Sequence, residues 1–129
     1  MAEPGAGFYP QQVQIDAYGN GGFRFAGMSH RGSLLCLPTG MQAWAVSAPT
    51  ELTLEALAPV FAVADQLDVL LIGLGTDIAR FDPDLRAALK AQGIIVEAIA
   101  TGGAVRTYNV LLAEDRAVAA ALIAVENAK

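Results

Sequence analysis

The spacing of apolar positions changes near residue 50. Before it, short alternations dominate. Val13, Ile15 and Ala17 alternate with polar neighbours, and Phe23 and Phe25 do so again beyond the turn cluster Gly19-Asn20-Gly21-Gly22. A period of two puts one set of side chains on one face, the pattern of a half-buried strand. Ser33–Leu37 is a short apolar run closed by Pro38-Thr39-Gly40, and Gln42–Ala48 carries Trp44 and Val46. Ser29-His30-Arg31-Gly32 reads as a hairpin turn. Together these segments predict a β-hairpin or meander layer.

After residue 50 the pattern becomes α/β. Thr53 can cap a helix starting at Leu54, with Glu55 in its first turn. Pro59 lies far enough inside to kink that helix or restart it. Val69–Leu74 is a continuous apolar run, as expected of a strand covered on both faces. Asp82 is the cap of the next helix, Pro83 its first residue and Asp84 a first-turn acid. Leu85, Ala88 and Leu89 form its inner face, and Gly93 ends it. Ile94–Ile99 is a strand, Thr101-Gly102-Gly103 a turn, and Ala104–Ala113 a helix with Val105, Tyr108, Leu111 and Leu112 inward. Glu114-Asp115-Arg116 breaks it. Val118–Val125 fits either helix or strand. A strand completes a further βαβ crossover and is the expectation here. From Gln42 onward the chain then reads β-α-β-α-β-α-β.

Length and composition narrow the class. At 129 residues the chain is expected to be one domain, 1–129, with residues 1–10 a loose tail. Apolar residues make up 54% and charged residues 16%, which excludes a disordered chain. No run approaches the roughly 18 consecutive apolar residues that a membrane-spanning helix needs. The single cysteine, Cys36, excludes an internal disulfide framework and a multi-cysteine zinc site. Net charge is −5, concentrated in residues 41–84, where seven acids stand against Arg80 alone. Without a basic stripe, nucleic acid is not an expected partner. The N-terminus has neither a basic nor an apolar leader region, so a bacterial cytoplasmic protein is the expectation.

Few residues suggest chemistry. Gly73-Leu74-Gly75 follows a strand, but Ile78 stands where a dinucleotide fingerprint needs its third glycine. Asp77, Asp82 and Asp84 could be drawn as a magnesium cluster, yet two of them already serve a helix start. His30, the one histidine, has no oriented partner, and Cys36 reads as a buried structural thiol. No catalytic residue, metal ligand or cofactor is indicated. Thr101-Gly102-Gly103 is better placed. It follows a strand and opens a helix, a setting whose free N–H groups can hold an anion, with Arg106 one turn on. Thr107-Tyr108-Asn109 is an unusual polar stretch for a helix interior. Tyr108 reads as a core aromatic with a paired hydroxyl, Asn109 as a bond to a neighbouring loop, or both as interaction residues.

These residues carry a family likeness. Ala17-Tyr18-Gly19, Gly22-Phe23-Arg24-Phe25, Gly32-Ser33-Leu34-Leu35 and Leu37-Pro38 lead to Trp44 and Leu71-Ile72-Gly73-Leu74-Gly75. Thr101-Gly102, Arg106-Thr107-Tyr108-Asn109, Glu114 and Arg116 follow. The chain resembles the domain of unknown function 498 family over about residues 13–124. That family includes a mitochondrial complex I (NADH:ubiquinone oxidoreductase) assembly factor and small bacterial and archaeal relatives. Leu74 departs from relatives with Thr between the two glycines. The resemblance implies a three-layer α/β fold. Its four-stranded, mostly parallel sheet of order 2-1-3-4 would be flanked by helices and joined by the N-terminal β layer. The switch point would then lie between Trp44–Ser47 and Ile94–Ile99, beside Thr101-Gly102.

The resulting expectation is a non-enzymatic protein-interaction module, an assembly factor for a respiratory or membrane-associated complex. Arg106, Tyr108, Asn109 and Arg116 are its candidate interaction residues. The alternative is a small-molecule- or anion-binding protein or enzyme using Thr101, Gly102, Gly103 and Arg106. A homodimer without ligand is a third reading.

Overall fold

The computed structural model describes residues 8–76 and 80–128. Strands β1 (Phe8–Tyr9), β2 (Ala17–Gly19), β3 (Gly22–Phe25) and β4 (Met28–Arg31) come first, then β5 (Ser33–Leu37) and β6 (Gly40–Trp44). A short helix, α1 (Ala58–Ala62), leads to β7 (Val69–Gly73). Then follow α2 (Pro83–Ala91), β8 (Ile95–Ile99), α3 (Thr101–Ala113) and β9 (Val118–Leu122).

Turn chemistry sets the small sheet, ordered β2-β3-β4 and antiparallel throughout. Asn20 and Gly21 both take positive φ, +52° and +76°, the two-residue turn whose twist suits a hairpin. Ala26 and Gly27 repeat it at +52° and +76°. The second hairpin therefore turns at Ala26-Gly27. Ser29, His30 and Arg31, expected in a turn, lie in β4. The signal was weak because alanine rarely occupies a left-handed position. Of the 1–10 tail, Phe8 and Tyr9 are a strand paired with Gln42 and Met41, while residues 1–7 lie outside the described residues.

The main sheet corrects the expected topology. Its order is β1-β6-β5-β9-β7-β8. Only the β7 pairings with β8 and β9 are parallel. β5 is antiparallel to both β6 and β9, so the sheet is mixed and six-stranded rather than four-stranded with order 2-1-3-4. A short turn at Pro38-Thr39 is the first step. It folds β6 back onto β5, and the pairing of β5 with β9, such as Leu34 with Leu122, places that hairpin in the main sheet. Trp44–Ser47 is therefore not a neighbour of Ile94–Ile99. The order reverses around β7: α2 carries the chain out to β8, and α3 crosses back over β7 to β9. Val118–Leu122 is indeed a strand, in a central position.

Two apolar clusters sandwich this sheet, because alternate residues of each strand feed opposite faces. Leu70, Ile72, Ala119 and Ala121 face Leu57, Val60 and Leu89 on the α1–α2 side. Leu71, Val118, Ala120 and Leu122 face Ala104, Val105, Tyr108, Phe23 and Phe25, under α3 and the small sheet. The run Ala119-Ala120-Ala121 lets both layers approach a central strand closely.

Local signals explain the helices. Thr53 Oγ1 accepts from the Ala56 N–H at 3.0 Å, but Pro59 has no N–H to donate, and α1 begins only at Ala58. The Trp44 Nε1–H donates to the Ala56 carbonyl at 2.8 Å and ties this turn down. Asp82 Oδ1 accepts from the Asp84 N–H at 2.9 Å, Pro83 is the first residue of α2, and Gly93 (φ +82°) follows its end. α3 starts at Thr101, three residues before the expected Ala104. Asp115 (φ +59°) turns the chain out of it.

Candidate functional site: the strand ends and α3

The carboxyl ends of β7 and β9 meet the first turn of α3. Gly73 makes this possible: a Cβ there would lie 2.9 Å from Thr101 Cα and Oγ1, so any side chain would push the helix away. Thr101 is fully buried. Its hydroxyl donates to the Ile123 carbonyl at 2.7 Å and accepts from the Gly75 N–H at 3.0 Å. Its own N–H donates to the Gly75 carbonyl at 2.9 Å. Thr101 thus staples three elements, and its polar atoms are all engaged. Gly102 is buried as well, Gly103 half-buried, and Arg106 exposed one turn on.

Above this staple lies a groove of about 480 Å³, walled by Ser47, Ala48, Leu74, Gly75, Thr76 and Ile123. Thr101 lies beneath the floor rather than in the wall. Glu126 is the one charged lining residue among those described. At the rim, Glu51 accepts from the Ser47 N–H at 2.7 Å and from its hydroxyl at 3.2 Å. These bonds hold its carboxyl below the usual range. The sequence signal for this arrangement was Gly73-Leu74-Gly75, considered above only as a dinucleotide fingerprint. Its use is a close helix–strand approach.

The Thr107-Tyr108-Asn109 stretch binds the N-terminal segment. The Tyr108 hydroxyl donates to the Val13 carbonyl at 2.7 Å, and its ring is fully buried. Asn109 Oδ1 accepts from the Ile15 N–H at 2.8 Å while its Nδ2 donates to the Ile15 carbonyl at 2.8 Å. One side chain thereby imitates a neighbouring strand and satisfies both backbone groups of a buried residue. Gln12 Nε2 adds a bond to the Val118 carbonyl at 2.7 Å. Of the four candidate interaction residues, Arg106 and Arg116 are exposed, Asn109 is half-buried and Tyr108 is buried. The exposed outer face of α3 runs through Arg106, Val110 (56% exposed) and Ala113.

The other candidates have structural places. Cys36 is fully buried beside Tyr108, and desolvation holds its thiol far above the ordinary range. His30 Nε2 lies 3.0 Å from the Ser33 carbonyl, so it is the protonated nitrogen. Asp82 serves its helix cap, and Asp77, like Ile78, lies outside the described residues. Among those described, no three metal-ligating side chains come together.

The model of the family described as "Protein of unknown function (DUF498/DUF598)" matches residues 15–123. The chain belongs to this family. It is 43% identical over 122 residues to an uncharacterised protein of Rhodobacter capsulatus, covering 94% of this chain and 90% of that protein. It is 31% identical over 115 residues to the mouse NADH dehydrogenase [ubiquinone] 1 alpha subcomplex assembly factor 3, covering 89% of this chain but 62% of the mouse protein. The chain thus spans less than two thirds of the length of that assembly factor.

Solved structures agree on the fold. A crystal structure described as an outer membrane protein from Bartonella henselae shares 52% identity, with a TM-score of 0.87 over 92% of this chain and 99% of that one. A solution structure of a Rhodopseudomonas palustris protein shares 46% identity, with a TM-score of 0.81 over 92% of this chain and 87% of that one. A Bordetella pertussis protein described as an Mth938-like domain has a TM-score of 0.78 at 26% identity, covering 91% of this chain and 89% of that one. No helix among the described residues is long and apolar enough to cross a membrane.

Proposed function

We propose that this chain is a non-enzymatic protein-interaction module that assists assembly of a respiratory or membrane-associated complex from the bacterial cytoplasm. The observation that carries this reading is kinship with an assembly factor over 89% of the chain, enough to include every layer of the fold. The outer face of α3 supports it. Arg106 and Val110, one turn apart, present a charge beside an exposed branched apolar side chain. A guanidinium next to a desolvatable apolar group is a common composition of interface centres. Arg116, exposed just beyond the helix end, is a further candidate contact. The partner on this reading is a protein, possessing an acidic or amide-rich patch opposite Arg106.

Deletion in the native host tests the proposal. The expected result is less fully assembled NADH:ubiquinone oxidoreductase on a native gel, restored by the wild-type gene and not by Arg106→Glu. Unchanged assembly in the deletion strain would overturn it.

The strand-end groove supports a second reading, a small-molecule-binding protein or enzyme. Since the Thr101 hydroxyl is engaged below the floor, a ligand there would meet Ser47, Thr76 and the backbone around Ile123. A metabolite thermal-shift screen separates the two readings: a stabilising compound blocked by Thr76→Phe, a bulky change at an exposed residue of the groove wall, favours the groove.

A further inference from the structure

The outer face of the small sheet holds two arginines that the reading above leaves unused. Phe23 and Phe25 point into the core, so the alternate positions face outward. Arg24 pairs directly with Ser29, and Gly22 with Arg31. Arg24 and Arg31 are therefore diagonal neighbours on one face, a spacing of about 7–8 Å. Two side chains of that length can close on a single anion. Gly22 and Gly19 are fixed by close neighbours: a Cβ at Gly22 would collide with the His30 carbonyl, and one at Gly19 would meet Ala128. A hollow of about 370 Å³ here has Arg24, Ser29, Arg31 and Asn20 in its wall.

Charge makes this placement informative. The chain has 13 acidic residues against 8 Lys and Arg, yet among the described residues no carboxylate lines the hollow. Both arginines are exposed, and among the described residues neither is ion-paired. Among the described residues the nearby acid is Glu126, whose Oε2 flanks the Gly21 turn together with Arg31 Nη1, so Arg31 is partly compensated from one side while Arg24 is not. Two guanidiniums side by side repel when nothing lies between them, and an anion turns that repulsion into attraction. The guanidinium fork matches the oxygen spacing of phosphate and carboxylate alike.

We propose that this hollow binds an anionic group, phosphate or carboxylate, gripped by Arg24 and Arg31 with the Ser29 hydroxyl as a further donor. The site is independent of the assembly reading and of the Thr101 staple.

Nuclear magnetic resonance titration of the intact chain tests it, with inorganic phosphate and, separately, succinate at constant ionic strength. The expected result is saturable shifts confined to amides of residues 19–24 and 29–31 and to the Nε–H groups of Arg24 and Arg31. Arg24→Gln and Arg31→Gln, each made singly, should weaken binding by roughly ten-fold or more, as the loss of a charge-assisted hydrogen bond implies. Lys90→Gln, which removes an exposed cation elsewhere, should leave it unchanged. Tighter phosphate binding identifies a phosphorylated ligand; tighter succinate binding identifies a carboxylate. The proposal is overturned if the shifts do not saturate, if they spread over all cationic side chains, or if both arginine variants bind as wild type. Amide spectra of the unliganded variants establish that each is folded.

Discussion

Replacing Thr101 by valine keeps the shape of the side chain and removes its hydroxyl. The structure assigns that hydroxyl two jobs, donation to the Ile123 carbonyl at 2.7 Å and acceptance from the Gly75 N–H at 3.0 Å. The first bond is buried, so its loss leaves a carbonyl without a partner. A buried unsatisfied group costs about 1–3 kcal/mol. The second is partly accessible through Gly75, where water can substitute, and contributes about 1 kcal/mol. The expected loss is therefore about 2–4 kcal/mol. For a chain of this length, 1 kcal/mol corresponds to roughly 3–5 °C in Tm, so differential scanning calorimetry should show a fall of about 10 °C. Thr101→Ser keeps the hydroxyl and loses one methyl, for a cost of about 1 kcal/mol. Should Thr101→Val melt within a degree or so of wild type, the hydroxyl is not a staple. The helix start would then be open to a ligand.

Other residues give further tests. Asn109→Leu removes both bonds to Ile15 and should cost about 2–3 kcal/mol, with hydrogen exchange at residues 12–16 rising far more than elsewhere. Tyr108→Phe, losing the bond to the Val13 carbonyl and the weaker contacts of the same hydroxyl with Met41 Sδ and the Cys36 thiol, should cost about 1–2 kcal/mol in urea unfolding. Burial raises the folded thiol of Cys36 above its unfolded value of about 8.5, so stability is full below that pH and is lost as pH rises past it. Urea unfolding followed between neutral and strongly alkaline pH should decline from there by up to about 1.4 kcal/mol per pH unit, and Cys36→Ala should flatten this first decline. Tyr108, raised by the same desolvation, adds a second decline above about pH 10. In the native state Cys36 should also resist thiol reagents, reacting only at the unfolding rate.

Much of this architecture can be read from local patterns. The α2 cap, Pro83 and Gly93 each act through one or two neighbours, so the sequence displays them directly. The strand at Val69–Gly73 and the inward positions Val105 and Tyr108 follow from periodicity alone. Strand order does not. Pro38-Thr39-Gly40 announces a turn, but nothing local says that the β5–β6 hairpin joins the main sheet beside β9 rather than the small one. That choice is made by pairings between residues far apart, such as Leu34 with Leu122. The candidate site divides the same way. The polar stretch 107–109 could be marked as unusual from helix propensity, and its pairing with Val13 and Ile15 needed the tertiary fold. Arg24 and Arg31 escaped notice because a hairpin turn was placed between Ser29 and Gly32. Moving it to Ala26-Gly27 puts both guanidiniums on one face.

On the reading proposed above, this chain works by holding a protein partner through the outer face of α3. Affinity purification from the native host in mild detergent, with mass spectrometry of the retained proteins, tests it most directly. The expected result is reproducible recovery of respiratory-complex subunits or of membrane-insertion machinery, lost with Arg106→Glu while the melting temperature is unchanged. Recovery of the chain without such partners, or of the same partners with Arg106→Glu, would contradict it.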